Sequence, residues 1–149
     1  AGLLGHFLLA IGGGSQYRKA SFLLDALGEK VLPCWMTLRE ESKMARGLAS
    51  AYFDGDGVAT RDNVFVEQGR LASYILSSYS ARKLGLETTG NAGGVHNLHL
   101  DAPTRPLPQL LAQMGNGFLI TELMGQGVNG VTGDYSRGAS GYWAYCEFS

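Results

Sequence analysis

Cysteine, long apolar runs and clustered positive charge are what this sequence lacks. Cys34 and Cys146 are the only cysteines in 149 residues. Two thiols so far apart make no disulfide framework for a domain of this size, and the expectation is a pair of reduced, buried thiols. No apolar run approaches the roughly 18 residues of a membrane span, so a membrane protein is not expected. Twelve Lys and Arg stand against thirteen Asp and Glu, a formal net charge of −1. With no Lys/Arg cluster to offset that balance, direct nucleic-acid binding is not expected either. The sequence opens inside an apolar helical pattern, without an initiator Met or a charged leader. It reads as a segment of a longer protein.

What the sequence has is glycine, 22 of 149 residues, about twice the usual share. Hydrophobic residues are 45% and charged residues 17%, the balance of one globular domain with one core. The organising stretch is the last third, Gly117 to Trp143. It opens with an apolar run, Phe118 to Met124, expected as a buried strand. Gly125, Gly127, Gly130, Gly133, Gly138 and Gly141 follow, and such glycine density implies tight turns and close packing. A strand feeding a glycine-rich segment with few polar groups is a common cleft wall. Asn129, Asp134, Tyr135 and Arg137 are therefore candidate cleft residues. Asp134 and Arg137 either pair with each other or bind a peptide backbone or carboxylate.

In chain order, Gly2 to Ile11 fits a helix apolar on nearly every side and buried all round, ended by Gly12 to Gly14. Ser15 to Leu27 reads as a second helix with Ser15 as N-cap, Gly28 as C-cap and Phe22, Leu23, Ala26 and Leu27 inward. Val31 and Leu32 begin a short strand or extended piece stopped by Pro33. Residues 34–50 read as connecting structure with one helical turn. Residues 52–57 form a turn. Residues 58–77 predict a β-hairpin, with alternating Val64 to Glu67 before Gly69 and Leu71, Tyr74 and Leu76 after it. Residues 78–86 switch to a short helix stopped by Gly85, and residues 88–97 form a polar glycine loop. A last helix, with Leu107, Leu110, Leu111 and Met114 inward, follows Pro103 to Pro106. Helices and strands segregate rather than alternate, so the fold class is α+β: a β-rich, mostly antiparallel sheet with several short helices.

Familiar catalytic and binding motifs fail on inspection. The Asp54–Asp56 turn resembles half a calcium loop but lacks the bidentate Glu that should close it, since Phe65 stands there. Gly125 to Gly130 satisfies G-x-G-x-x-G after a strand. The glycines and β-branched residues beyond it forbid the helix that a dinucleotide fingerprint needs. No cofactor is expected. His6 has no second His within a turn or two, and a core histidine bonded to a carbonyl is the plainer reading. His96 and His99, three apart on a strand, point to opposite faces, one packed and one solvated. His96 is retained as a cleft candidate. No G-x-S-x-G elbow exists, and nothing in the spacing joins Ser136 or Ser140 to a histidine.

Three long stretches nevertheless resemble one family: Gly2 to Pro33, Ile75 to Asn97 and Thr121 to Trp143. They are similar to the TldD/PmbA family, and within it to the PmbA (TldE) branch. The resemblance covers nearly the whole chain. It implies that residues 1–149 are part of the C-terminal domain of a longer, cytoplasmic bacterial protein called a modulator of DNA gyrase. It also implies a peptidase that matures a peptide antibiotic precursor. The two branches form a heteromeric protease, and the TldD branch carries an H-E-x-x-x-H zinc helix. Carried over, those three positions fall on Gly5, His6 and Ala10. By resemblance this chain is the subunit without catalytic or metal residues of its own. Its partners would be a TldD-like zinc-bearing subunit and a peptide or unfolded protein, with a homodimer left open. After Trp143 the sequence departs from the family pattern.

Overall fold

A computed structural model describes residues 2–125 and 127–144. Two helices open it, α1 (Gly2–Ala10) and the single-turn α2 (Gly13–Tyr17). Strands β1 (Thr37–Glu41), β2 (Asn63–Glu67) and β3 (Arg70–Leu71) follow, then α3 (Ser78–Leu84) and β4 (Asn97–Asp101). The chain continues with α4 (Leu107–Met114), β5 (Gly117–Met124) and β6 (Gly138–Ala144). The first four strands form one antiparallel sheet in the order β3-β2-β1-β4, and β5 and β6 form a separate antiparallel pair. This is the expected α+β class, with mostly antiparallel strands and short helices.

The hairpin and the helix after it follow from local chemistry. Gln68 (φ 46°) and Gly69 (φ 80°) make a two-residue turn, and two successive positive φ values match the right-handed twist of the flanking strands. A side chain at Gly69 would also run into the Leu32 and Pro33 carbonyl oxygens. Ser77 caps α3 by accepting from the Ser80 N–H at 3.2 Å, while the Ser80 hydroxyl accepts from the Ser77 N–H at 3.0 Å. Gly85, at φ 68°, closes the helix in the left-handed region.

The core gathers Ile11, Leu38, Phe65, Val66, Leu71, Tyr74, Leu76 and Ala81. Alternation on β2 is broken, because both Phe65 and Val66 are buried while Val64 is exposed. The register of β1 against β2 shifts between Leu38 and Arg39, which lets two successive β2 residues turn inward.

Several expectations fail for identifiable reasons. Residues 34–50 contain β1, a central strand, rather than a connection. Its inward positions are Leu38 and Glu40, and a carboxylate on the core face hides the apolar alternation. The second helix stops at Tyr17 instead of reaching Leu27. Its continuation is replaced by side-chain bonds: Gln16 Nε2 and Ser21 Oγ donate to the Ala10 carbonyl at 2.7 and 2.8 Å, and Ser21 Oγ accepts from the Leu23 N–H. Lys19 and Asp25 adopt positive φ, and Phe22 and Leu27 are exposed while Ala26 is buried. The cap of α2 is Gly12, not Ser15. Helix α1 is not buried all round, since only Ala10 is buried and Leu3 and Leu9 are exposed. Of the two alternatives for Val31 and Leu32, the strand does not form; their N–H groups donate to the Gly69 carbonyl. Neither α4 nor β5 is buried: Leu107, Leu110 and Met114, expected inward, are exposed, as are Phe118 and Ile120. Cys34 is exposed rather than buried, and Cys146 lies outside the described residues.

Candidate functional site

The most heavily bonded polar group in the sheet is one the sequence did not advertise. Glu40, in the middle of β1, is 1% exposed. Asn63 Nδ2 donates to Oε1 at 2.6 Å, and Asn91 Nδ2 lies 2.8 and 3.1 Å from the two oxygens. The His96 N–H donates to Oε2 at 2.8 Å, and His96 Nδ1 sits 3.3 Å from the same oxygen. A buried carboxylate needs such donors to offset lost hydration. The result ties the 88–96 loop to the sheet and leaves Glu40 little capacity for a substrate.

The two histidines diverge. His99 Nε2 lies 3.7 Å from Glu41, while His96 faces Glu40, the adjacent residue on β1. Neighbours on a strand face opposite ways, so these imidazoles do not share a ligand. His96 is the more enclosed of the pair, with side-chain exposure of 9% against 31%.

Two acidic groups fix other loops. Burial pushes the Asp54 carboxyl up, but N–H donors from Ala92, Val58 and Asp56 outweigh it and hold the group below its usual range. Asp56 in turn accepts from the Ser78 N–H. The acidic turn is thus occupied by backbone donors. The Ser42 N–H, at 2.7 Å, and hydroxyl, at 2.9 Å, lower Asp62.

The other four candidates lie together in the loop between β5 and β6. Asn129 Oδ1 accepts from the Val131 and Thr132 N–H groups. Asp134 accepts from the Thr132 hydroxyl at 2.7 Å, and its carbonyl accepts from the Asn129 N–H. Both residues build the loop. Asp134 does not pair with Arg137. Tyr135 stands edge-on to His6, with ring centroids 5.9 Å apart, and the Arg137 guanidinium lies 5.9 Å over the Tyr135 ring. Arg137 also donates to the Gly125 carbonyl. The structure therefore brings Tyr135 and Arg137 beside α1 and leaves His96 in the Glu40 network, with no bond between the two groups. The Gly125–Gly130 fingerprint leads into turns and a bridge between Val128 and Tyr135, not a helix. A cavity of about 270 Å³ separates His6 from Val128 and Gly130, and one of about 710 Å³ lies between the start of α1 and β5.

Residues 1–145 match the PmbA/TldA metallopeptidase C-terminal domain. The chain belongs to that family. It is 52% identical over 142 residues to metalloprotease PmbA of Escherichia coli O157:H7, covering 95% of this chain and 32% of that protein. It is 56% identical over 143 residues to a PmbA homologue of Haemophilus influenzae, with the same coverage. Among solved structures, a Bacteroides thetaiotaomicron protein described as a candidate modulator of DNA gyrase superposes with a TM-score of 0.88 at 31% identity, over 96% of this chain and 32% of that one. TldE of Thermococcus kodakarensis superposes with a TM-score of 0.67 at 27% identity, over 80% of this chain and 29% of that one. The chain thus spans about a third of the length of the curated relatives it matches.

A metallopeptidase family implies a metal ion, zinc by the resemblance, and the described side chains do not suit one. Gly5, His6 and Ala10 supply a single ligating side chain between them, and His6 packs against Tyr135. Among the described residues no group of three or more His, Cys, Asp or Glu is placed to hold a metal ion, and a catalytic zinc needs at least three protein ligands. Among the described residues no helix is long and apolar enough to cross a membrane.

Proposed function

We propose that this chain is part of a PmbA/TldE-like subunit of a cytoplasmic bacterial metallopeptidase, a subunit that shapes the peptide cleft while a TldD-like chain holds the zinc. The observation that carries the reading is α1. It aligns by resemblance with the TldD zinc helix, yet presents Gly5, His6 and Ala10. Residues 1–149 are then part of the C-terminal domain, and the hydrolytic water is activated on the companion chain. The cleft wall would be β5, the loop to β6, Tyr135 and Arg137, with Asn129 and Asp134 holding that loop in shape and His96 bracing the neighbouring sheet. An extended peptide can pair through its backbone with the edge of β5 or β6 that is unpaired among the described residues. The test is a peptide-cleavage assay on the full chain, a TldD-like partner and their mixture, each with and without chelator. Chelator-sensitive cleavage that requires both chains supports the reading. Equal cleavage and equal peptide binding by the partner alone sink it.

A second reading is a non-catalytic module that binds gyrase or another protein. It is favoured by the description of the Bacteroides thetaiotaomicron neighbour as a candidate gyrase modulator. Retention of gyrase by the full chain, with no cleavage in any mixture, selects it.

A further inference from the structure

Arg137 is a half-buried cation without a carboxylate partner among the described residues. The ion pairs formed there are Arg39 with Asp101, His96 with Glu40 and His99 with Glu41, and the nearby Asp134 carboxylate is taken by Thr132. The guanidinium is nevertheless held in place. One terminal nitrogen, Nη2, donates to the Gly125 carbonyl, and the face of Tyr135 lies beneath the group. Nε is buried and has no acceptor among the described residues. A donor enclosed in protein without a partner is unusual and costly, and an oriented guanidinium with unfilled donors suits a carboxylate.

The space in front of it matches. Arg137 and Tyr135 line the cavity of about 710 Å³ between α1 and β5. This falls within the usual range for small-ligand pockets. Leu3, Ile120 and Leu123 supply apolar wall, and Glu122 is the other charged residue lining it among the described residues. One Arg and one Glu leave the cavity with no net charge, which disfavours a phosphate or a polyanion and suits a monoanion with an apolar attachment. The register of β5 against β6 slips between Ile120 and Glu122, so the strand is irregular where it borders the cavity.

We infer that Arg137 and this cavity bind the free carboxy-terminus of a peptide whose last side chain is aliphatic. The carboxylate bonds the guanidinium, the terminal side chain packs on Leu3, Ile120 and Leu123, and Glu122 repels an acidic terminal residue. The inference rests on the peptide-handling reading above and names its substrate class.

Fluorescence anisotropy of the full chain with a labelled hexapeptide ending in Leu tests it, using the free acid, its C-terminal amide and a version ending in Glu. The acid should bind about ten-fold more tightly than the amide, the size of one charge-assisted bond. The Glu-terminated peptide should fall to the level of the amide. Arg137→Gln should remove the acid-over-amide preference, and Arg137→Lys should retain part of it. Equal binding of acid and amide, binding of neither, or a preference that survives Arg137→Gln in a folded variant overturns the assignment. If Arg137→Gln does not fold, the three peptides against the unaltered chain decide alone. The two readings fail separately. A mixture that cleaves peptides without discriminating acid from amide sinks this site and keeps the peptidase. Discrimination without cleavage does the reverse.

Discussion

Residues 2–101 and residues 107–144 are built on opposite terms. The first region buries its strands around Leu38, Phe65, Val66 and Leu71 and spends its polar residues on holding loops. The second has no buried residue in α4, exposes much of β5 and β6, and touches the first through few links, the Phe22 N–H to the Gly130 carbonyl and the His6–Tyr135 contact among them. The difference separates a packed core from an open surface. Apolar surface left open, including Leu107, Leu110, Ile120, Tyr142 and Trp143, is characteristic of regions that meet something else. The candidate contacts with peptide, Tyr135 and Arg137, also lie there.

Core truncation gives the sharpest contrast. Phe65→Ala removes a wholly buried ring and should cost about 3–5 kcal/mol in urea unfolding of the full chain. Ile120→Ser, on the exposed strand, should change stability by no more than about 0.5 kcal/mol. Comparable losses would erase the distinction between the regions.

Glu40→Ala comes next. It strands the amides of Asn63 and Asn91 and the His96 N–H, and should cost about 3 kcal/mol. Hydrogen exchange should quicken at residues 90–96 before it quickens in α4. Glu40→Gln, which keeps one acceptor, should lose less. Gly69→Ala should cost more than about 1 kcal/mol, because the turn needs positive φ and a Cβ has no room there.

The smallest effect is a pH dependence. Asp62 titrates below its usual value in the folded chain because Ser42 donates to it twice. A depressed carboxyl contributes stability that is present above its unfolded value. That contribution is lost as pH falls through the lower folded one. Unfolding midpoints should therefore decline on acidification below about pH 4, and Asp62→Asn should flatten that limb. A profile that is already flat in the unaltered chain would contradict the assignment.

Legibility in the sequence divides along the same line. The Gln68–Gly69 turn, the helix from Ser78 to Leu84 with its Gly85 stop, and the α+β class were readable, because each depends on local backbone chemistry or on the order of elements. Strand β1 was not, since its core-facing Glu40 breaks the apolar pattern and its oxygens are hydrogen-bonded by partners 23 to 56 residues away. The second helix was over-read, because Ser21 and Gln16 turn the chain through bonds to Ala10 that no window of propensity contains. In the last third the position of β5 was legible but its burial was not, and β6, lying among the glycines, was not located. Apolar residues look the same whether they fill a core or await a partner. The cleft candidates fare accordingly. Tyr135 and Arg137 meet beside α1, Asn129 and Asp134 serve the loop, and His96 braces Glu40.

Most directly at stake is whether α1 can work without zinc of its own. Metal analysis of the full chain, purified apart from any TldD-like partner, measures it. The account predicts far less than one equivalent of zinc and no change on His6→Ala. About one zinc per chain, lost on His6→Ala with the protein still folded, would contradict it.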